Sequence, residues 1–287
     1  MTPRAVYIHI PFCSKRCYDC DFTTYVPHQK QQISQDLEAL VKEMEMMVKT
    51  TPPGSIGTFF LGGGTPTILS PAQMQYLLHN IKRCFPQWAP DYEFTVEANP
   101  GTTNTKLLKV MKENGVNRLS FGAQTFQSTL LEEIGRTHSV DDIVQSVKDA
   151  RKVGFENISL DLMFGLPNQT VGDVRESLAR LVELKPDHVS CYSLKVEEGT
   201  PFYTLHLQNQ LPLPTEDHEF EMYQLIRSQL RENGYPQYEI SNFSPIGKES
   251  RHNLTYWHNN AYYGLGTGAH GYVCGSRYEN VKSLEKY

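Results

Sequence analysis

The sequence predicts an α/β fold of six consecutive βα units: an incomplete (β/α)6 TIM-like barrel, followed by an accessory segment. Three observations lead there. Short apolar runs alternate with helical patterns up to about residue 200. Helix start and stop residues stand at several of the joints. Polar residues or glycines follow five successive apolar runs, where a barrel gathers its βα loops around one centre.

The elements follow in order. A first strand is expected at 6–10, running into Pro11-Phe12-Cys13, and then a helix at 33–49. The second strand, 58–61, ends in Gly62-Gly63-Gly64-Thr65-Pro66, and Ser70-Pro71 opens a helix at 71–84. Strand 93–97 ends in Glu97-Ala98-Asn99-Pro100, and helix 105–114 closes on Asn114-Gly115. Strand 118–121 leads into Gly122-Ala123-Gln124, and helix 141–153 closes on Val153-Gly154. The fifth strand, 158–163, holds Asp161 in an apolar run and passes into Gly165-Leu166-Pro167; helix 171–184 and strand 188–194 complete the set. A doubly wound sheet would concentrate its polar strand ends at one switch point, so five polar ends in succession favour the barrel. Residues 1–200 are therefore expected to form the core barrel. Residues 201–287, with a helix at 216–233 and then irregular Gly-, Tyr-, Asn- and His-bearing sequence, are expected to be an accessory or linker region and the start of a C-terminal domain. Residues 281–287 read as the opening of a helix, which predicts that the natural chain runs on.

With 287 residues the chain can bury a full core, and 39% hydrophobic and 21% charged residues with net charge −5 are ordinary for a globular protein. No Lys/Arg block marks a nucleic-acid footprint, so no nucleic-acid partner is expected. No apolar run reaches the roughly 18 residues of a spanning helix, and Met1-Thr2-Pro3-Arg4 leads directly into the first strand. A cytoplasmic location is expected, where thiols stay reduced and disulfides are rare. Of the six cysteines, Cys84 reads as a helix-end residue, Cys191 as strand core and Cys274 as incidental. Cys13, Cys17 and Cys20 fall within eight residues, in the loop after the first strand. Three thiolates so close can hold three corners of one iron–sulfur cubane and leave the fourth iron open to a small molecule. Zinc is the alternative; it would need His9 or His28 as a fourth ligand, with no second cysteine pair present.

The segment Cys13-Ser-Lys-Arg-Cys17-Tyr-Asp-Cys20 resembles the signature of the radical S-adenosylmethionine (SAM) superfamily, and Gly62-Gly63-Gly64-Thr65-Pro66 resembles its glycine motif. Tyr7-Ile-His-Ile-Pro-Phe-Cys13, Val96-Glu97-Ala-Asn-Pro100, Ser120-Phe-Gly-Ala-Gln124-Thr-Phe126 and Asp161-Leu-Met-Phe-Gly-Leu-Pro167 are similar to the oxygen-independent coproporphyrinogen oxidase branch. The resemblance implies a 4Fe–4S cluster on Cys13, Cys17 and Cys20. It also implies SAM chelating the open iron, and one-electron cleavage of SAM to a 5′-deoxyadenosyl radical. It assigns Gly63, Gly64 and Thr65 to close backbone approach by SAM, Glu97 to its cationic or hydroxyl groups, Gln124 to neutral hydroxyls and Arg136 to a carboxylate. Asp161, costly to bury unpaired, is implied to meet a ligand or a cation. Tyr7 is implied to lie against the cluster region, and Asp19 is a further SAM-contacting candidate. The plainer readings are a tight turn for the glycines, a solvated carboxylate for Glu97, a surface residue for Arg136 and a core residue for Tyr7.

Two departures from the oxidase pattern stand out. The oxidases typically carry a further cysteine two residues after the third ligand; here Phe22 stands there. Arg251-His252-Asn253-Leu254-Thr255-Tyr256-Trp257 contains His-Asn-x-x-Tyr-Trp, which resembles the hallmark of the haem chaperone family HemW. The resemblance implies binding of haem and its delivery to a haem-accepting protein, including peripheral contact with a membrane haemoprotein; anaerobic coproporphyrinogen decarboxylation is the enzymatic alternative. His252 is the haem-ligand candidate, with His258 and His270 as alternatives, against the plainer reading that His252 anchors the accessory segment on the barrel. Asn259-Asn260 and the glycine-rich stretch 264–270 are expected to be loops closing the site.

Overall fold

The computed structural model describes residues 2–287. The chain begins with β1 (Ala5–Ile10), α1 (Lys30–Thr50), β2 (Ile56–Gly63), α2 (Pro71–Cys84), β3 (Trp88–Ala98) and α3 (Thr105–Glu113). It continues through β4 (Arg118–Gln124), α4 (Ser128–Glu133), α5 (Val140–Val153), β5 (Ile158–Phe164), α6 (Val171–Glu183) and β6 (His188–Ser193). These six strands lie parallel and side by side in chain order. An order without a switch point is that of a barrel wall rather than of a doubly wound sheet.

The helices begin where the sequence supplies caps. Ser70, Ser139 and Thr170 each accept a hydrogen bond from the backbone N–H three residues on, at α2, α5 and α6. Gly154, at φ 99°, ends α5 in the left-handed conformation that glycine adopts freely.

Residues after 200 add α7 (Pro201–Leu207), α8 (Glu216–Glu232), β7 (Asn242–Phe243), α9 (Arg251–Trp257), β8 (Tyr263–Leu265), β9 (His270–Val273) and β10 (Ser276–Glu279). They are built into the same sheet: β7 pairs antiparallel with β6, and β8 pairs parallel with β1. The stretch expected to be loop thus contains an edge strand, with Val6 opposite Tyr263 and Ile8 opposite Leu265. Its glycines concealed it. Gly264 lies where a Cβ would run into the His270 backbone, so the residue is dictated by close approach and not by a turn.

The strands divide their two faces between different tasks. Facing the helices, Val6, Ile8, Ile10, Phe59, Leu61, Phe94, Val96, Leu119, Phe121, Leu160 and Val189 are fully buried in one apolar cluster. Side chains of this size contribute about 1.5–3 kcal/mol each on burial. The alternate residues, on the inner face, are polar: Tyr7 and His9, Thr58, Glu93 and Glu97, Arg118 and Ser120, Ser159 and Asp161, His188 and Ser190. Parallel strands covered on both faces ordinarily read as continuous apolar runs, so this polar lining sets the inside of the barrel apart. Arg118 is only 2% exposed and its charge opposes those of Glu97 and Asp161 above it.

Candidate functional site

At the carboxyl ends of the strands lies a cavity of about 490 Å³. Eleven of the thirteen residues singled out from the sequence line it: Cys13, Cys17, Cys20, Asp19, Gly63, Gly64, Thr65, Glu97, Gln124, Arg136 and Asp161. Tyr7 and His252 do not.

The three cysteines are half-buried in the β1–α1 loop. That loop is laid against the sheet by hydrogen bonds from Cys13 N to Tyr25 O (3.0 Å) and from Tyr25 N to Pro11 O (2.7 Å). Arg16 donates twice to the Cys20 carbonyl, at 3.1 and 2.9 Å, and Cys13 Sγ is 3.4 Å from Thr65 Oγ1. Among the described residues no three His, Cys, Asp or Glu converge closely enough to hold a single metal ion. A cubane spreads its thiolates over separate irons and needs no such convergence. Burial pushes the Cys13 and Cys17 thiols up, and the nearby Arg136 guanidinium works against that rise.

The glycine motif is explained by the protein's own packing. A Cβ on Gly64 would lie 2.6 Å from the Phe12 carbonyl oxygen, so only glycine lets the cysteine loop cross β2 here. Gly63, at φ 108°, would drive a Cβ into the His9 ring.

Around the cavity the polar groups are partly unpaired. Glu97 accepts from Gly63 N at 3.2 Å; burial, and next the charge of Asp161, raise its pKa from the ordinary 4.5 to about 8. Burial also raises Asp161, which accepts from Ser120 at 3.1 Å and from Ser159 at 3.4 Å. Gln124 holds φ 65°, a strained value for a side-chain-bearing residue, at the register shift between β4 and β5, and its Oε1 accepts from Tyr192 at 3.1 Å. Arg136 donates one N–H to Asn99 at 3.3 Å, while its Nε and Asp19 Oδ1 are buried without a partner among the described residues. Buried polar groups are otherwise nearly always satisfied, so these orphans fit a ligand bearing both an acceptor and a donor. A chelating amino-acid moiety is of that kind, and the three cysteines beside it are the donor type that iron–sulfur clusters take.

Reading the sequence missed Asn99 and Tyr192. Asn99 joins Arg136 to Thr65, donating to Thr65 Oγ1 at 2.9 Å. Its signal was present in Glu97-Ala98-Asn99-Pro100, two residues beyond an inward-facing position. Tyr192 had only strand alternation to mark it.

Tyr7 and His252 belong to the barrel interior below the cavity. Tyr7 Oη is 2.9 Å from His9 Nδ1, and its ring stacks on Phe60 at 6.2 Å. His252 is 1% exposed, with Nδ1 2.9 Å from Thr58 Oγ1 and Nε2 2.8 Å from Tyr256 Oη. Its backbone N–H, like that of Arg251, donates to Glu93 at 3.1 Å. Burial first, then the charge of Arg118, lower its pKa to about 3, so it is a neutral clamp holding α9 on the barrel base. His258 and His270 lie on the same accessory segment, outside the cavity lining.

Comparison with known proteins agrees with this geometry. The family model of the radical SAM superfamily matches residues 7–181. The heme chaperone HemW of Bacillus subtilis is 48% identical over 284 residues, covering 99% of this chain and 75% of that protein. The heme chaperone HemW of Lactococcus lactis is 43% identical, covering 99% and 74%. Among solved structures, coproporphyrinogen III oxidase (HemN) from Escherichia coli, described as a radical SAM enzyme, superposes with a TM-score of 0.86 at 26% identity, over 100% of this chain and 68% of that one.

Proposed function

This chain belongs to the radical SAM superfamily and, within it, to the HemW haem chaperone family, and from that premise we propose that it binds haem and hands it to a haem-requiring protein. Helix α9 is the observation that carries this reading. It bears the whole His-Asn-x-x-Tyr-Trp motif at the barrel base and leaves Tyr256 40% and Trp257 54% exposed, an aromatic surface suited to a macrocycle. With both ring nitrogens engaged, His252 reaches a haem iron only after α9 has left Thr58 and Glu93.

Cys13, Cys17 and Cys20 are the residues to hold a 4Fe–4S cluster in the cavity, and Arg136, Asp19, Glu97, Gln124 and Asp161 those to hold SAM. When bound, the two together supply one-electron reductive chemistry. Arg136 offers its free Nε to a carboxylate, Glu97 and Asp161 take hydroxyl or cationic groups, and Gly63 and Gly64 keep the cysteine loop against the sheet.

The likeness to the oxidase across the whole chain supports a second reading, coproporphyrinogen decarboxylation. Phe22, 62% exposed on the cavity rim, opposes it, because an aromatic side chain occupies the place of the oxidases' additional cysteine. Anaerobic incubation of the cluster-reconstituted protein with SAM, reductant and coproporphyrinogen separates the two. The expected result is no porphyrinogen product, together with saturable haem binding that His252→Ala weakens. Product over many turnovers would replace the chaperone reading with the oxidase one.

A further inference from the structure

The mechanism outlined above makes no use of His188, although it is completely buried inside the barrel between the cofactor cavity and α9. Its Nδ1 is 2.8 Å from Ser159 Oγ and its Nε2 is 2.8 Å from Tyr238 Oη. Ser159 Oγ also reaches Asp161 Oδ1 at 3.4 Å, and Tyr238 Oη accepts the N–H of Ser250, the residue that caps α9, at 3.0 Å.

These contacts allow one arrangement of protons. The Asp161 carboxylate only accepts, so the Ser159 hydroxyl hydrogen goes to it and Ser159 Oγ in turn takes the hydrogen of His188 Nδ1. His188 Nε2 is left to accept the Tyr238 hydroxyl hydrogen, while the Tyr238 oxygen takes the Ser250 N–H. A neutral imidazole that accepts at Nε2 carries its proton on Nδ1. Burial, reinforced by the charge of Arg118, holds the His188 pKa well below its ordinary value and keeps the ring neutral.

We propose that His188 is a positioning residue for Asp161, the middle link in a one-way chain of donors that carries the placement of α9 to the cofactor cavity. The chain runs from Ser250 N–H through Tyr238 O–H, His188 Nδ1–H and Ser159 O–H to Asp161. Departure of α9 withdraws the Ser250 N–H and frees Tyr238 to turn. His188 then loses the donor that fixes its tautomer. In the other tautomer Nδ1 accepts, Ser159 turns its hydrogen towards the ring, and Asp161 faces an oxygen lone pair in its place. The haem motif and the cavity are thereby coupled without a shared ligand. The consequence at the cavity rests on the reading of Asp161 as a SAM contact.

The test uses Tyr238→Phe, which keeps the ring and removes the hydroxyl, in the full chain with its cluster reconstituted. Nitrogen-15 NMR of labelled histidines reads the His188 tautomer, and equilibrium dialysis reads the SAM affinity. The wild type is expected in the Nδ1–H form; Tyr238→Phe is expected to shift towards Nε2–H and to bind SAM about tenfold more weakly, the loss of a hydrogen bond to a charged group. His188→Asn presents an amide N–H near the Nδ1 position and needs no Tyr238. Adding it to Tyr238→Phe is therefore expected to restore most of the affinity, which a merely structural role would not do. An Nε2–H tautomer in the wild type overturns the chain of donors. So does unchanged SAM affinity in Tyr238→Phe when Asp161→Asn binds more weakly. Unchanged affinity in Asp161→Asn, beside the expected tautomers, refutes instead the reading of Asp161 as a SAM contact.

Discussion

Replacing Glu97 by Gln should stabilise the ligand-free protein, and only at high pH. The carboxyl is raised from 4.5 to about 8 by burial and by Asp161, so between those values the folded chain keeps a proton that the unfolded chain has lost. Stability from this group is therefore highest below pH 4.5, falls as pH rises, and levels off above about 8. A shift of that size corresponds to a ceiling of about 5 kcal/mol, at roughly 1.36 kcal/mol per unit. Because Glu97 opens on the cavity and solvent reaches it, about 2–3 kcal/mol is the realistic penalty above pH 8. Gln keeps the volume and an oxygen for Gly63 N, so the substitution removes the charge and little else. Urea unfolding of both proteins from pH 4.5 to 9, free of cluster and SAM, should give curves that coincide at the acid end and diverge in favour of Gln. Parallel curves, or a wild type that gains stability over the variant as pH rises, would refute the account of Glu97 as a buried acid awaiting a ligand.

Further substitutions address the cavity and the clamp. Gly64→Ala places a methyl 2.6 Å from the Phe12 carbonyl; it should lower stability by about 1–3 kcal/mol and reduce iron per chain, read by thermal unfolding and a colorimetric iron assay. Serine at Cys13, Cys17 or Cys20 should abolish the cluster's visible absorption, while Cys274→Ser, at an exposed turn, should leave it intact. Thr58→Val removes the partner of His252 Nδ1, so stability should drop by about 1–2 kcal/mol and haem uptake in stopped flow should become faster; uptake at the wild-type rate would argue against α9 as a latch.

Most of the barrel was legible because its signals are local. Caps at Ser70, Ser139 and Thr170 mark helix starts, and apolar alternate residues mark strands whose outer face meets helices. The cavity was legible for a different reason: polar residues at successive strand ends converge once the strands lie in chain order. What escaped was non-local. The three residues of β8 have no periodicity of their own, and their pairing with β1 is set by chain more than 250 residues away. His252 illustrates the same limit. A histidine among aromatics suits an exposed iron ligand and an interior clamp equally, and only the positions of Thr58 and Glu93 decide which one the closed barrel contains.

The polar inner face shows how one barrel could serve both a cofactor and the helix release proposed for α9. Apolar packing on the outer face holds the sheet together without help from the interior. The interior is therefore free to carry charge, and its balance is uneven. Within and below the cavity, Arg118 and Arg136 oppose Asp19, Glu97 and Asp161 and the three cysteines, which ligate as thiolates. Such a set raises the pKa of each of its carboxyls while empty and favours an occupant that brings positive charge, as a cluster's iron and a sulfonium both do. At the opposite end Glu93, 6% exposed, receives the backbone N–H groups of α9 and has no ion pair among the described residues. Breaking those bonds exposes a carboxylate to water, where it is well solvated, so at this contact the cost of releasing α9 is a few hydrogen bonds, to which the parting of the buried His252 ring from Phe60 and Tyr7 is added. A hydrophobic anchor in place of Glu93 would make the helix harder to move, and the hydrogen-bonded one suits the release that the proposed haem role asks of α9.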